Sequence, residues 1–168
     1  DRIRQDLTDI PQIVYGVNLG ITWKQFDLSL LFQGQAKVIN TIQETWVDPS
    51  SGGAGNLMQW WTEDMWTPEN TDGTKPRLGT PNKINGTTFT NINAAFFKLK
   101  NAEIGYTLPV AVREKIGVAN ARVYLSGTNL FSFDHMRGMG IDPEATGSGY
   151  GGWALNPQRL INLGVNVS

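Results

Sequence analysis

At 168 residues, 40% hydrophobic and only 17% charged, with 19 glycines and 6 tryptophans, the chain could fill one domain, but its balance is not that of a helix-rich cytosolic enzyme. A formal net charge of −1, with no run of Lys and Arg interleaved with aromatics, excludes the electrostatic footprint of a nucleic-acid binder. The absence of cysteine excludes a disulfide framework and thiolate metal sites, and no stretch reaches the ~18 consecutive apolar residues of a spanning helix, so any contact with a membrane is made by strands.

The opening Asp1-Arg2-Ile3-Arg4-Gln5-Asp6 is polar, unlike a signal peptide, and begins without Met, as a cut from something longer would. From Ile13 to Trp23 the alternation is nearly strict. Ile13, Tyr15, Val17, Leu19, Ile21 and Trp23 share one face, with Gly16, Asn18, Gly20 and Thr22 on the other. After the short connection Lys24-Gln25, Phe26, Leu28, Leu30 and Phe32 continue the pattern against Asp27, Ser29 and Gln33, which predicts a hairpin partner over about 26–35; Leu31 alone breaks the rule.

A long segment, about 36–94, is rich in Gly, Pro, Asn and Thr, with one short helix predicted from Asn56 as N-cap to about Met65. Strand character returns over about 96–108. Its apolar phase switches from Phe97 and Leu99 to Ala102, Ile104, Tyr106 and Leu108, as a bulge near Lys100-Asn101 would produce. Pro109 at N1 and Gly117 as C-cap predict one or two helical turns between them. The next strand, about 121–133, puts Val123, Leu125, Phe131 and Phe133 on one face and Arg122, Ser126, Thr128 and Ser132 on the other, with Tyr124 and Leu130 as exceptions. A Gly-rich loop over about 134–158 precedes a final two-faced strand, about 159–168, in which Ile161, Leu163, Val165 and Val167 alternate with Asn162, Gly164, Asn166 and Ser168.

Connection lengths alternate short, long, short, long. Bacterial barrels do this, with short periplasmic turns, long extracellular loops, and strands apolar outside and polar inside. On that reading Tyr15, Val17, Leu19, Ile21, Trp23, Ile161, Leu163, Val165 and Val167 face the lipid of an outer membrane, and Trp23 suits the aromatic girdle. A soluble carbohydrate-binding β-sandwich, its apolar faces turned to a shared core, explains the alternation but not the loop asymmetry.

Catalytic chemistry lacks its parts. His135 is the only histidine, and neither a Gly-x-Ser-x-Gly turn nor a phosphate-cradling loop occurs. Glu63, Asp64 and Glu69 are read as solvated caps before a glycosidase pair, Asp142-Pro143-Glu144 beside Asp134 as a turn before a calcium loop, and Gly147 to Gly152 as plain loop. Neither an enzyme nor any cofactor or metal is expected. Trp46, Trp60, Trp61 and Trp66 in the first long loop and Trp153 in the second are candidates for a ligand or partner surface, against the alternative that they pack the loops' own core.

Five ordered phrases carry a resemblance over about Pro11 to Val167. They are Tyr15-Gly16 with Phe26-Asp27-Leu28-Ser29 and Phe32-Gln33-Gly34; Trp66-Thr67-Pro68-Glu69-Asn70 with Lys75-Pro76-Arg77-Leu78; Leu99-Lys100-Asn101 with Gly105-Tyr106-Thr107-Leu108-Pro109; Arg122 through Phe131; and Asp142-Pro143-Glu144. They resemble the C-terminal part of the SusC/RagA family of TonB-dependent outer-membrane transporters of Bacteroidetes. The resemblance implies an all-β fold in which this chain supplies about five antiparallel strands of a 22-stranded transmembrane barrel, with the plug domain and TonB box absent. It also implies import of oligosaccharides or peptides, a SusD-like surface lipoprotein as partner, and energy from the TonB complex through the missing N-terminal part. Family members usually end on an aromatic residue, whereas this chain stops at Ser168.

Overall fold

A computed structural model describes residues 8–42, 57–77, 87–144 and 156–168, which divide into two compact units. One holds Val14–Gly34, Phe97–Phe133 and Pro157–Ser168 and is a sheet of five strands; the other is built from the described residues of 8–13, 35–96 and 134–156.

The sheet unit follows from period-two patterning. Strands β1 (Ile13–Trp23) and β2 (Phe26–Ala36) are joined through a turn in which Lys24 takes φ 55, and β5 (Phe96–Thr107), β6 (Ala121–Asp134) and β7 (Leu160–Val167) complete the order β1-β2-β5-β6-β7. β6 and β7 are antiparallel with Leu125 opposite Leu163, Ser126 opposite Asn162 and Gly127 opposite Ile161. Opposed residues share a face, so this register places the apolar residues of both strands on one side.

The phase switch in β5 is visible in its rings. Phe97 stacks on Phe32 at 5.3 Å, while Tyr106, an odd number of residues further on, meets Phe26 at 4.7 Å, although Phe26 and Phe32 lie on the same face of β2. Strict alternation would put Phe97 and Tyr106 on opposite faces, so the strand gains one residue of phase between them. In β6, Tyr124 belongs to the polar face, its ring covering Gly164, where a Cβ would fall 2.3 Å from the ring. Asn129 takes φ 52, and the residue after it, Leu130, lies over Gly127.

Between β5 and β6, helix α2 (Val110–Ile116) is closed by Gly117 at φ 72. Pro109 is the N-cap and not the first helical residue, since its ψ of 151 is extended. Leu108 N–H donates to Ala121 O at 2.9 Å and Thr107 N–H to Gln25 O at 2.8 Å, which ties both short connections to the same end of the sheet.

The second unit carries secondary structure that alternation does not announce. Strands β3 (Ile39–Thr41) and β4 (Asn91–Asn93) pair antiparallel with Asn40 opposite Ile92. Helix α1 is Gln59–Glu63, preceded by Met58 without a side-chain cap; the expected cap, Asn56, lies outside the described residues. It stops short of Met65 because the next backbone groups are committed to a ladder. Lys75 N–H donates to Asp64 O at 2.9 Å and Trp66 N–H to Lys75 O at 2.8 Å. The Asp64 carboxylate accepts from the Thr74 hydroxyl and amide, and those bonds hold it below the usual carboxylate range. Val38, Ile42, Trp61, Ala94, Met136 and Ile141 form the core of this unit, with Met58, Trp60, Ile92 and Met139 packed around it.

Candidate functional site

The sheet unit presents two chemically different faces. On the apolar face the rings gather at the two ends of the strands. At the loop end Tyr15 stacks with Phe97 at 6.3 Å, Phe32 lies 5.3 Å from Phe97 and 6.4 Å from Phe131, and Phe131 meets Phe133 edge-on at 5.4 Å. At the turn end are Phe26 and Tyr106, and Trp23 with Lys24 Nζ 4.8 Å from its ring centre. Between the ends only aliphatic residues face outward: Val17, Leu19, Ile21, Leu28, Leu30 and Ile104 on the near strands, and Leu125, Ile161, Leu163 and Val165 on the far ones. Tyr15 and Trp23 are eight residues apart, ~26 Å along an extended strand. A tilt of ~40° leaves about 20 Å of depth, comparable with the ~25 Å apolar band of a bacterial barrel wall.

This face is exposed on the chain itself. Every residue of β1 is exposed, and on β7 Ile161, Leu163, Val165 and Val167 are all more than half exposed, Leu163 by 75%. A sandwich buries such a face beneath a second sheet.

The opposite face is polar. Arg122 donates through Nε to Asp27 Oδ1 at 3.0 Å and through Nη2 to both Asp27 Oδ2 and Glu103 Oε1, the last at 2.7 Å, which staples β2, β5 and β6. Its guanidinium lies over Gly105 and 5.1 Å from the Tyr124 ring, occupying space that a Cβ at Gly105 would need. Planar, forked donation to a carboxylate is the geometry for which arginine is suited and lysine is not. Sequence reasoning missed this group. Its only signal was that Asp27 and Arg122 occupy polar-face positions, and Glu103 falls on that face only once the phase switch in β5 is placed.

The loop tryptophans separate. Trp61 is 1% exposed inside the core of the second unit and Trp60 packs against it, with ring centres 5.6 Å apart at 73°. Trp61 therefore packs the unit's own core, the alternative weighed against a ligand surface, while Trp60 is partly buried at the edge of that core. Their indole N–H groups are buried and have no acceptor among the described residues. Trp66, 43% exposed, remains a surface ring, held by the Thr67–Asn70 and Trp66–Lys75 backbone bonds. Trp46 and Trp153 lie outside the described residues.

No family model matches the chain. Among curated proteins it is similar to TonB-dependent receptor P26 of Formosa agariphila, 30% identical over 95% of this chain and 17% of the relative. TonB-dependent receptor P3 of the same organism is 32% identical over 80% of the chain and 13% of the relative. Among solved structures, the RagAB peptide importer matches over 98% of this chain and 18% of that chain in both of two states. Its closed-closed state gives a TM-score of 0.75 at 26% identity, and its open-open state 0.71 at 27%. The chain therefore spans under a fifth of the length of each of these relatives.

Proposed function

Since the chain belongs to the SusC/RagA family of TonB-dependent receptors, we propose that its sheet forms part of the wall of an outer-membrane importer. The complete protein takes up oligopeptides or oligosaccharides, receives them from a SusD-like surface lipoprotein, and draws energy from the TonB complex through parts outside this chain. The observation that carries the reading is the exposed aliphatic band bounded at both ends by aromatic rings, because such a face is unfavourable against water and matches the girdled apolar band of a barrel wall. The polar face stapled by Arg122 then lines the lumen, and Trp66 is a candidate for contact with ligand or lipoprotein. Of the two ligand classes the peptide has the firmer support, from the likeness to a peptide importer.

Uptake measurements test this. Cells carrying the complete gene are expected to accumulate fluorescent oligopeptides, to lose that uptake when either the gene or TonB function is removed, and to yield a surface lipoprotein on affinity purification. Accumulation of labelled oligosaccharides instead reassigns the substrate class. Uptake that persists without TonB contradicts the proposal.

A further inference from the structure

The outward face of the sheet is not uniformly filled. Along β6 the outward sequence Val123, Leu125, Gly127 leaves out a side chain at its third position. Around that gap is a hollow of about 200 Å³, lined by Ala102 and Ile104 of β5, Leu125, Gly127 and Leu130 of β6, and Ile161 of β7. It is built by two local devices. Gly127 is a floor without a side chain, and the positive φ of Asn129 precedes a Leu130 that lies over Gly127 as a wall. The strand neighbours Glu103 and Ser126 border the hollow, but the Glu103 carboxylate is engaged by Arg122 on the polar face, and Ser126 points away by alternation. A second, smaller hollow of about 70 Å³ lies toward the turn end between Ile21, Trp23, Phe26, Leu28 and Ile104, bordered also by Asp27, whose carboxylate is engaged by Arg122 on the polar face. The two share Ile104, and beyond the second stands the ammonium of Lys24, over the Trp23 ring.

We propose that these two hollows, which share Ile104 as a wall, together hold one acyl chain of an anionic phospholipid, whose phosphate is met by Lys24. The inference rests on the reading of this face as lipid-facing and adds to it a defined site. The occupant follows from the chemistry. Hollows walled by aliphatic side chains and, at the turn end, by two aromatic rings, with the bordering carboxylates held by Arg122, are poorly served by water and well served by methylene groups. The groove is continuous with the proposed lipid surface, and the cation lies at the aromatic end, where a headgroup would sit. Detergents and free fatty acids share the chain but not the glycerophosphate.

The test is native mass spectrometry of the complete protein in detergent, titrated with phosphatidylglycerol bearing sixteen-carbon chains. One tightly held lipid is expected on the unaltered protein. Ala102→Phe, which fills the groove, and Leu130→Ala, which removes a wall, should each lower occupancy about tenfold, the equivalent of losing roughly two buried methylenes. Lys24→Gln should abolish the preference for phosphatidylglycerol over phosphatidylcholine. A nitroxide at Leu163, on the same face but outside the groove, reports separately on the face. If that label contacts lipid while Ala102→Phe and Leu130→Ala both retain full occupancy in folded protein, the groove is refuted and the barrel reading stands. If the label meets water, both fail.

Discussion

Leu163→Arg is expected to deplete the assembled barrel of the complete protein about thirty-fold or more, while Asn162→Arg, one residue away, leaves most of it in place. The two positions sit opposite Leu125 and Ser126 on antiparallel β6, so they point to opposite faces of the same short strand and share every other feature of context. A charge on the lipid side of a barrel at mid-depth costs about 2–4 kcal/mol and falls to near zero at the interface, and each ~1.4 kcal/mol is a factor of ten in an equilibrium. A lumen-facing arginine keeps access to water and to the carboxylates of that wall. The amount of heat-modifiable barrel in purified outer membranes measures both variants. Equal depletion, or the reverse order, would remove the face assignment of β7.

The second large effect concerns the chain by itself. Purified without detergent, it is expected to give oligomers or aggregate and not a monodisperse monomer. The sheet runs β1-β2-β5-β6-β7, so β1 and β7 are its two edges, each with one row of backbone N–H and C=O groups not paired within this sheet. Long, apolar, uncharged edges recruit further strands. Both edge strands also carry their exposed apolar residues on the outward face, a patch well beyond the few hundred Å² that soluble monomers tolerate. A bilayer does not rescue an open sheet, because unsatisfied backbone groups cost several kcal/mol each in hydrocarbon. Light scattering and denaturant unfolding decide the matter. A single monomeric species with one cooperative transition would favour the carbohydrate-binding sandwich over the barrel wall.

How much of this was legible in the sequence depends on whether a signal is local. Strands β1 and β7 are written in strict alternation, since each carries an apolar face and a polar one, and a period of two is legible within a single strand. The phase switch of β5 was legible for the same reason, as a change of parity between Leu99 and Ala102. Helix α2 announced itself through Pro109 and Gly117, whose backbone preferences act within a turn. The rest depends on partners distant in the chain. β3 and β4 are three residues each and have no period to read, so their pairing is known only when Ile39 meets Asn93. Trp61 looks like a surface ring until Val38, Ala94 and Met136 close over it. Arg122 and Asp27, 95 residues apart, form a staple that only the strand order brings together.

The central claim is that one face of this sheet touches hydrocarbon and the other does not, and nitroxide accessibility on β1 tests it most directly. Single labels at Val17, Asn18, Leu19 and Thr22 in the complete protein, reconstituted into lipid bilayers, are read for collision with molecular oxygen and with a water-soluble nickel chelate. Labels at Val17 and Leu19 are predicted to collide with oxygen and to be shielded from nickel, while those at Asn18 and Thr22 do the opposite. Nickel accessibility at Val17 and Leu19 with oxygen accessibility at Asn18 and Thr22 would contradict the account.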